Sequence, residues 1–519
     1  SGFRVWAPRP SRVELHLGGE RRRMTPAGGG WWEVDAEARP GADYGFRLDG
    51  GDPLPDPRSR WQPAGVHGLS RLVDHGAFRW SDAGWRGLRL ADAVVYELHV
   101  GTFTAAGTFA SAIERLDHLV ELGVNAVEIM PVAEFSGERG WGYDGVDLWA
   151  PHHGYGGPDG LKALVDACHA RGLAVVLDVV YNHLGPEGSY LERFGPYLTG
   201  RHHTPWGRAL DFDGPRSRPV RDFVIDNALA WLRDYHLDGL RLDAVHTIVD
   251  TSRPHLLEEL AGRVHELDPP RFVIAEKPTI DPALLAMGLD GQWADDLHHS
   301  VHVVLTGERQ AYYAPYGRIA DVAAALLGPA RAGVDAARVV GFVQNHDQVG
   351  NRAGGERLSQ LVDAGRLRLA AALATCSPLV PMLFMGEEWG AGTPFLFFSD
   401  HRDPRIARAT SRGRMREFQA FGWRPEEVPD PQAPSSFERS RLDWSEPSRE
   451  PHRGLLRWYR RLLALRCATP ELRSGGPLLV EHDEAARTLV LRRGPVRVAC
   501  DFASGRVAVE KLGKPLDRE

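Results

Sequence analysis

The hydrophobic pattern changes character near residue 93 of the chain. Before that point apolar and polar positions alternate in short runs, "FRVWAP", "RVELHL", "WWEVDAE" and "YGFRLDG", separated by Gly and Pro clusters. Period-two alternation punctuated by turn residues predicts a small all-β domain, a β-sandwich, over residues 1–90. The stretch "GGDPLPDPRSRWQP" carries too much proline for regular structure and reads as an irregular connection.

Beyond residue 93, short apolar runs alternate with amphipathic helical stretches, and eight such runs are present. They are "AVVYELHV" (93–100), "VNAVEIMP" (124–131), "LAVVLDVVYNH" (173–183) and "LDGLRLDAVH" (237–246). The series continues with "RFVIAE" (271–276), "LDGQWADD" (289–296), "RVVGFVQNHD" (338–347) and "PLVPMLFMGEE" (378–388). Between the first two, "FASAIERLDHLVELG" places Ile113, Leu116, Leu119 and Val120 at helical spacing and ends in glycine. The expected fold class is α/β: a (β/α)8 TIM barrel over 91–450, with an N-terminal β-sandwich domain and a C-terminal β domain. A Gly-, Pro- and His-rich excursion after strand three is expected at about 185–220. A second proline-rich segment, "RPEEVPDPQAPSSFERSRLDW", precedes a C-terminal helix and β domain over 451–519, whose β-runs begin at about Gly476.

Polar residues gather at the C-terminal ends of these runs, where a barrel of this kind carries its active site. Asn182 and His183 close the third run, Arg241 and Asp243 the fourth, Glu276 the fifth, and Asn345, His346 and Asp347 the seventh. Three acids on three strand ends suit glycoside hydrolysis, in which one carboxylate attacks and another transfers the proton. Arg241 precedes Asp243 by two, so strand alternation sets both on one face and keeps the carboxylate ionised. Glu276 follows the apolar run Phe272 to Ala275, whose burial raises an acid toward the range of a proton donor. Asn345 and His346 are candidates for sugar hydroxyls, with capping of the strand end as the plain alternative. Trp141, Tyr143, Tyr181, Tyr190 and Trp206 offer flat faces for sugar rings.

A net charge of −7 with both signs scattered along the chain argues against nucleic acid or an anionic membrane as partner. The four cysteines stand apart without a CxxC pair, so a reducing compartment, the cytoplasm, is expected. No run approaches a transmembrane span, and the first residues do not resemble a signal peptide. "HHGYGGPDG" lacks the GxGxxG order, and the His152–His153 and His202–His203 pairs lack zinc-site spacing. "WADDLHHSVH" (293–302) carries metal-type ligands, but on a straight continuation of strand six its aspartates and histidines alternate between faces. It reads instead as a rim segment whose Asp296 and His298 meet sugar hydroxyls. No metal or cofactor is called for.

Four stretches, "DVVYNH", "GLRLDAVH", "IAE" and "FVQNHD", match in order the marker regions of glycoside hydrolase family 13, the α-amylase superfamily, which this chain resembles. The resemblance implies Asp243 as nucleophile, Glu276 as acid/base and Asp347 as transition-state stabiliser. Tyr143, His183, Arg241 and His346 would surround the reacting sugar, and configuration would be retained through a glycosyl-enzyme intermediate; His246, at the end of the fourth run, is a further candidate for substrate binding. "VYELHVGTFT", "WGYDGV" and "NHDQVGNRAGGERL" are similar to the trehalose-releasing members of that family. The implied substrate is malto-oligosyltrehalose or a related α-glucan, and the front domain would be a carbohydrate-binding-like module. A branching or debranching enzyme, or a non-catalytic glucan-binding barrel, is the alternative. Lys277, beside Glu276, departs from the family pattern; on a strand it points away from the acid.

Overall fold

The computed structural model describes residues 2–419, 424, 427–473 and 477–516. At the front, one antiparallel sheet pairs Gly2–Trp6, Trp31–Asp35 and Thr25–Gly28. A second orders Glu20–Arg23, Val13–Leu17, Asp43–Leu48 and Pro53–Leu54, with Ser70–Arg71 also on Asp43–Leu48. Alternation works as the sequence demands: Val13, Leu15 and Leu17 are buried while Glu14 and His16 are only partly covered. Phe3 of one sheet meets Tyr44 of the other edge to face at 5.2 Å, so the two inner faces share a core.

The eight runs close a parallel barrel in chain order. Its strands are Val95–Leu98, Ala126–Ile129, Ala174–Val179, Gly239–Leu242, Phe272–Ala275, Gly291–Trp293, Val339–Gly341 and Val380–Phe384, with the eighth paired to the first. Every strand residue is buried, because helices cover the outside and side chains fill the inside. The inward positions form their own cluster, Val95, Ala126, Val176, Ile274, Trp293, Val340 and Met382 among them. Two residues further along, the same inward rows become charged: Glu97, Glu128, Asp178, Arg241, Asp243 and Glu276. One apolar plug thus carries one ionic layer on its C-terminal side.

The helix expected after the first strand forms as two pieces, Phe109–Ile113 and Leu116–Leu122. Val120 is 43% exposed, so it is not part of the buried stripe, and Gly123 at φ 99° ends the second piece. The excursion after strand three carries a short helix, Leu191–Phe194, and a hairpin of Leu198–Thr204 with Gly207–Leu210. Pro434–Arg439 is helical within the second proline-rich segment, of which residues 425 and 426 lie outside the described set. Gly476 also lies outside it; the final five-stranded antiparallel sheet starts with Leu478–Asp483. Helix His452–Cys467 ties this end to the barrel, as buried Arg466 donates to the carbonyls of Thr375, Ser377 and Leu379. Among the described residues no helix is long and apolar enough to cross a membrane.

Gly239 opens the fourth strand, and a Cβ there would come within 2.5 Å of the Phe272 ring inside the barrel. Gly239→Ala is expected to cost about 1–3 kcal/mol by overpacking, read as a lower thermal unfolding midpoint; an unchanged midpoint would show that Phe272 can move aside.

Candidate active site

Arg241 organises the ionic layer. Its side chain has no exposed surface and stacks at 4.1 Å over the ring of Trp293. Its Nη1 donates to both oxygens of Asp178, at 2.9 and 2.8 Å, and to Asp243 Oδ1 at 2.9 Å. Asn182 donates to Asp243 Oδ2 at 2.8 Å, so both oxygens of that carboxylate are held by donors from neighbouring strand ends. Such fixed donors set the direction of its oxygens.

Glu276 has the opposite environment. Burial pushes its acid up to about 7; Arg241 opposes this, while Asp243 and Asp347 reinforce it. Its Oε2 lies 3.7 Å from Arg241 Nη2 and accepts from the backbone N–H of Ala244 at 2.5 Å. Ala244 adopts the left-handed region, φ 40°, which turns that N–H toward the glutamate. A non-glycine residue there carries strain, tolerated because the flanking strand end fixes the turn. One side of the site thus carries a carboxyl fixed by donors, and the other a carboxyl that burial raises to about 7.

These groups open into a cleft of about 580 Å³, lined by Tyr143, His183, Asp243, His246, Glu276, His346 and Asp347. The Asp347 side chain is 43% exposed, with Asn351 Nδ2 donating to its Oδ1 at 3.1 Å. Tyr143 donates to Asp178 Oδ2 at 2.5 Å, and its ring stacks on His346 with centroids 5.0 Å apart. His183 Nε2 donates to the Tyr143 carbonyl at 2.9 Å, and its ring stacks on Trp206 at 4.8 Å. His246 is exposed on the rim, its basicity lowered by burial and by Lys277.

The chain's likeness to known proteins is extensive. The family model for the alpha amylase catalytic domain matches residues 79–200. A malto-oligosyltrehalose trehalohydrolase of Arthrobacter ramosus is 50% identical over 98% of this chain and 94% of its own. One from Saccharolobus solfataricus is 43% identical over 85% of this chain and 82% of its own. The chain belongs to the malto-oligosyltrehalose trehalohydrolase family. A crystal structure from Salmonella typhimurium named for an alpha amylase superimposes with a TM-score of 0.87 at 41% identity, over 96% of this chain and 90% of that one.

Three expected contacts of this trehalohydrolase-family site need correction. "WADDLHHSVH" does not prolong strand six; from Asp296 it is a helix, Asp296–Thr306. His298 therefore points inward, only 2% exposed, with Nδ1 on the Val343 carbonyl at 2.6 Å and Nε2 on the Tyr313 hydroxyl at 2.9 Å. Neither nitrogen is left for a sugar. Asp296 is outside the cleft lining and accepts from the Tyr316 hydroxyl at 2.8 Å. Asn345 is 1% exposed and its Oδ1 accepts from the Gln348 N–H at 2.8 Å, so it caps the helix His346–Gly350. Asn345 does cap, but at a helix N-terminus and not at the strand end that was expected.

Of the aromatic platforms, Trp141 and Trp206 line the cleft, whereas Tyr181 is buried on Asn227 and Tyr190 pairs with His67. Asp178 and Glu97 were missed, although each is a lone charge within a fully buried strand, which is the signal that finds them. Asp295 was passed over for its neighbour; burial with Glu276 and Asp347 nearby raises its acid to about 8. Lys277 is held by Asp281 at 2.5 Å, away from Glu276.

Glu134, His152 and His153 converge elsewhere, their ligand atoms within 4.8 Å of one another. His152 Nε2 is buried with no hydrogen-bond partner, so its proton sits on Nδ1, facing Glu134 at 3.0 Å. A cation at Nδ1 would force that proton onto a nitrogen with no acceptor, against the usual outer support of ligating histidines. The cluster works as a buried ion pair, with His153 held near 9 mainly by Glu134.

Arg241→Ala leaves Asp178, 2% exposed, without its cation. A loss of about 3–5 kcal/mol is expected at pH 8. Burial already raises Asp178 to about 7 with Arg241 present, and the unfolded carboxyl titrates near 3.9. The folded form thus binds the proton more tightly, and the penalty shrinks as pH falls toward 4. Unfolding midpoints at pH 5 and 8 check this; equal losses at both would contradict an electrostatic origin.

Proposed function

We propose that this chain hydrolyses the α-1,4-glucosidic bond next to the terminal trehalose of malto-oligosyltrehalose and releases trehalose, with Asp243, Glu276 and Asp347 as the reacting carboxyls. The family membership supports the substrate, and one observation supports the roles: Arg241 and Asn182 fix both oxygens of Asp243 by hydrogen bonds, while burial raises the acid of Glu276 to about 7. In the first step Asp243 attacks the anomeric carbon as Glu276 passes its proton to the departing glycosidic oxygen. The trehalose unit leaves with that proton, and a covalent glycosyl ester remains on Asp243. In the second step Glu276, now a carboxylate, takes a proton from water as the oxygen attacks the same carbon, so Asp243 is freed with configuration retained. Arg241 Nη2 makes no hydrogen bond and lies 3.7 Å from Glu276 Oε2, so it is the cation the new carboxylate meets. Asp347, on the far rim, faces the charge that develops on the ring.

All four cysteines are unpaired, which supports a reducing compartment, the cytoplasm. The front β-sandwich fits a carbohydrate-binding-like module.

Chromatography of a malto-oligosyltrehalose digest should show free trehalose; its absence would refute the reading. Turnover should fall as pH rises through about 7, where Glu276 loses its proton. Glu276→Gln should remove that alkaline limb and about 10²–10⁴-fold of the rate. Asp243→Ala should abolish turnover while leaving substrate binding, measured by calorimetry, within about tenfold.

A further inference from the structure

We propose that Glu97 is a positioning residue for this reaction, holding His346 with a proton on each ring nitrogen so that the ring fixes Tyr143 and Asp347 at the reacting sugar. The catalytic consequence rests on the trehalohydrolase reading; the protonation of the ring does not.

Glu97 lies on the first barrel strand, 249 residues before His346, and both are 1% exposed. It spends both oxygens on that one residue. Oε2 accepts the backbone N–H of His346 at 2.9 Å, and Oε1 accepts the ring Nδ1–H at 2.5 Å. The other ring nitrogen, Nε2, lies 2.8 Å from the Tyr143 hydroxyl. That hydroxyl has a single proton, and its shorter contact, 2.5 Å, is to Asp178 Oδ2. Both Asp178 oxygens accept from Arg241 Nη1, the arrangement of the carboxylate that Asp178 becomes above about 7. The tyrosine proton therefore goes to Asp178, and the tyrosine oxygen accepts from His346 Nε2–H. With Nδ1 on a carboxylate and Nε2 on an acceptor oxygen, both nitrogens are donors, and the ring is an imidazolium.

The surroundings agree. Burial works against the charged ring, but Glu97 and Asp347 hold it up to about 9, with Arg241 opposing. Asp347 Oδ1 is 3.6 Å from Nε2 on the same helix. On the second strand Glu128 is buried with both oxygens unpartnered and its acid raised well above the usual range, so it faces the ring neutral. His99, at the end of the first strand, is neutral too, lowered by burial to about 4. Trp141 and Trp293 close the remaining sides, with centroids at 5.6 and 6.1 Å. Glu97 is thus the carboxylate hydrogen-bonded to the ring itself.

Glu97→Gln keeps an acceptor for the backbone N–H but turns an amide donor to Nδ1, which makes the neutral ring the favoured form. The alkaline limb of kcat/KM for trehalose release, set by Glu276 near 7, is then expected to move down by about one pH unit or more. At pH 7.5 kcat should fall about tenfold or more with KM within about twofold, and the deficit should narrow in acid. Glu97→Asp, which retains the charge, should recover part of the alkaline limb. Ring ¹⁵N shifts of His346, identified by their loss in His346→Gln, should titrate above pH 8 in the parent and below 7 in Glu97→Gln. A rate lowered by one factor at every pH, or a parent His346 titrating near 6.5, would overturn the proposal. If the parent releases no trehalose, the functional reading fails, and the ring titration still decides the role of Glu97.

Discussion

The buried guanidinium of Arg241 is the interaction on which the site depends. Three carboxyls from three neighbouring strands, Asp178, Asp243 and Glu276, meet around it, and Trp293 covers its face. Moving that many like charges out of water is unfavourable unless a cation sits among them. Arg rather than Lys suits the position, because one planar fork reaches several oxygens with fixed geometry. The same cation touches the acids unequally. Asp243 is directly bonded to it, while Glu276 lies at 3.7 Å and is raised to about 7 chiefly by burial.

The barrel makes this arrangement affordable in stability. Its inward rows are apolar through Val95, Ala126, Val176, Ile274 and Val340, then charged one step nearer the C-terminal rim. The dry layer below raises the acids by burial and strengthens every contact above it. Each member of the layer leans on a different strand: Glu97 on His346, Tyr143 on Asp178, Asn182 on Asp243. Such cross-strand bonds limit the freedom of side chains that have to stay in place through two chemical steps.

Much of this was legible in the chain. Eight apolar runs ending in polar residues located the barrel and the rim, and Tyr143, His183, Asp243, His246, Glu276, His346 and Asp347 do line one cleft. Asp296 and His298 were expected to meet sugar from their place at the rim of strand six, but past Trp293 the chain turns into a helix and the side-chain period changes from two to 3.6. Asn345 went to a helix N-terminus, since four orphan N–H groups compete for its oxygen. Asp178 and Glu97 stand inside buried strands, and their partners, Arg241 on the fourth strand and His346 just past the seventh, are brought near only by barrel closure.

The sequence by itself determined the eight barrel strands, their order and the candidate acids at their ends, because periodicity and motif spacing are local properties. What tertiary structure decided is which neighbours each polar group finds. That Glu97 grips a histidine 249 residues away, that Lys277 is drawn off by Asp281, and that His298 faces inward follow only from barrel closure and helix packing. Protonation belongs to the same class: the state of Glu276, Asp178 and His346 is set by burial and by charges from other strands. A linear pattern carries the groups; the closed barrel assigns their protons.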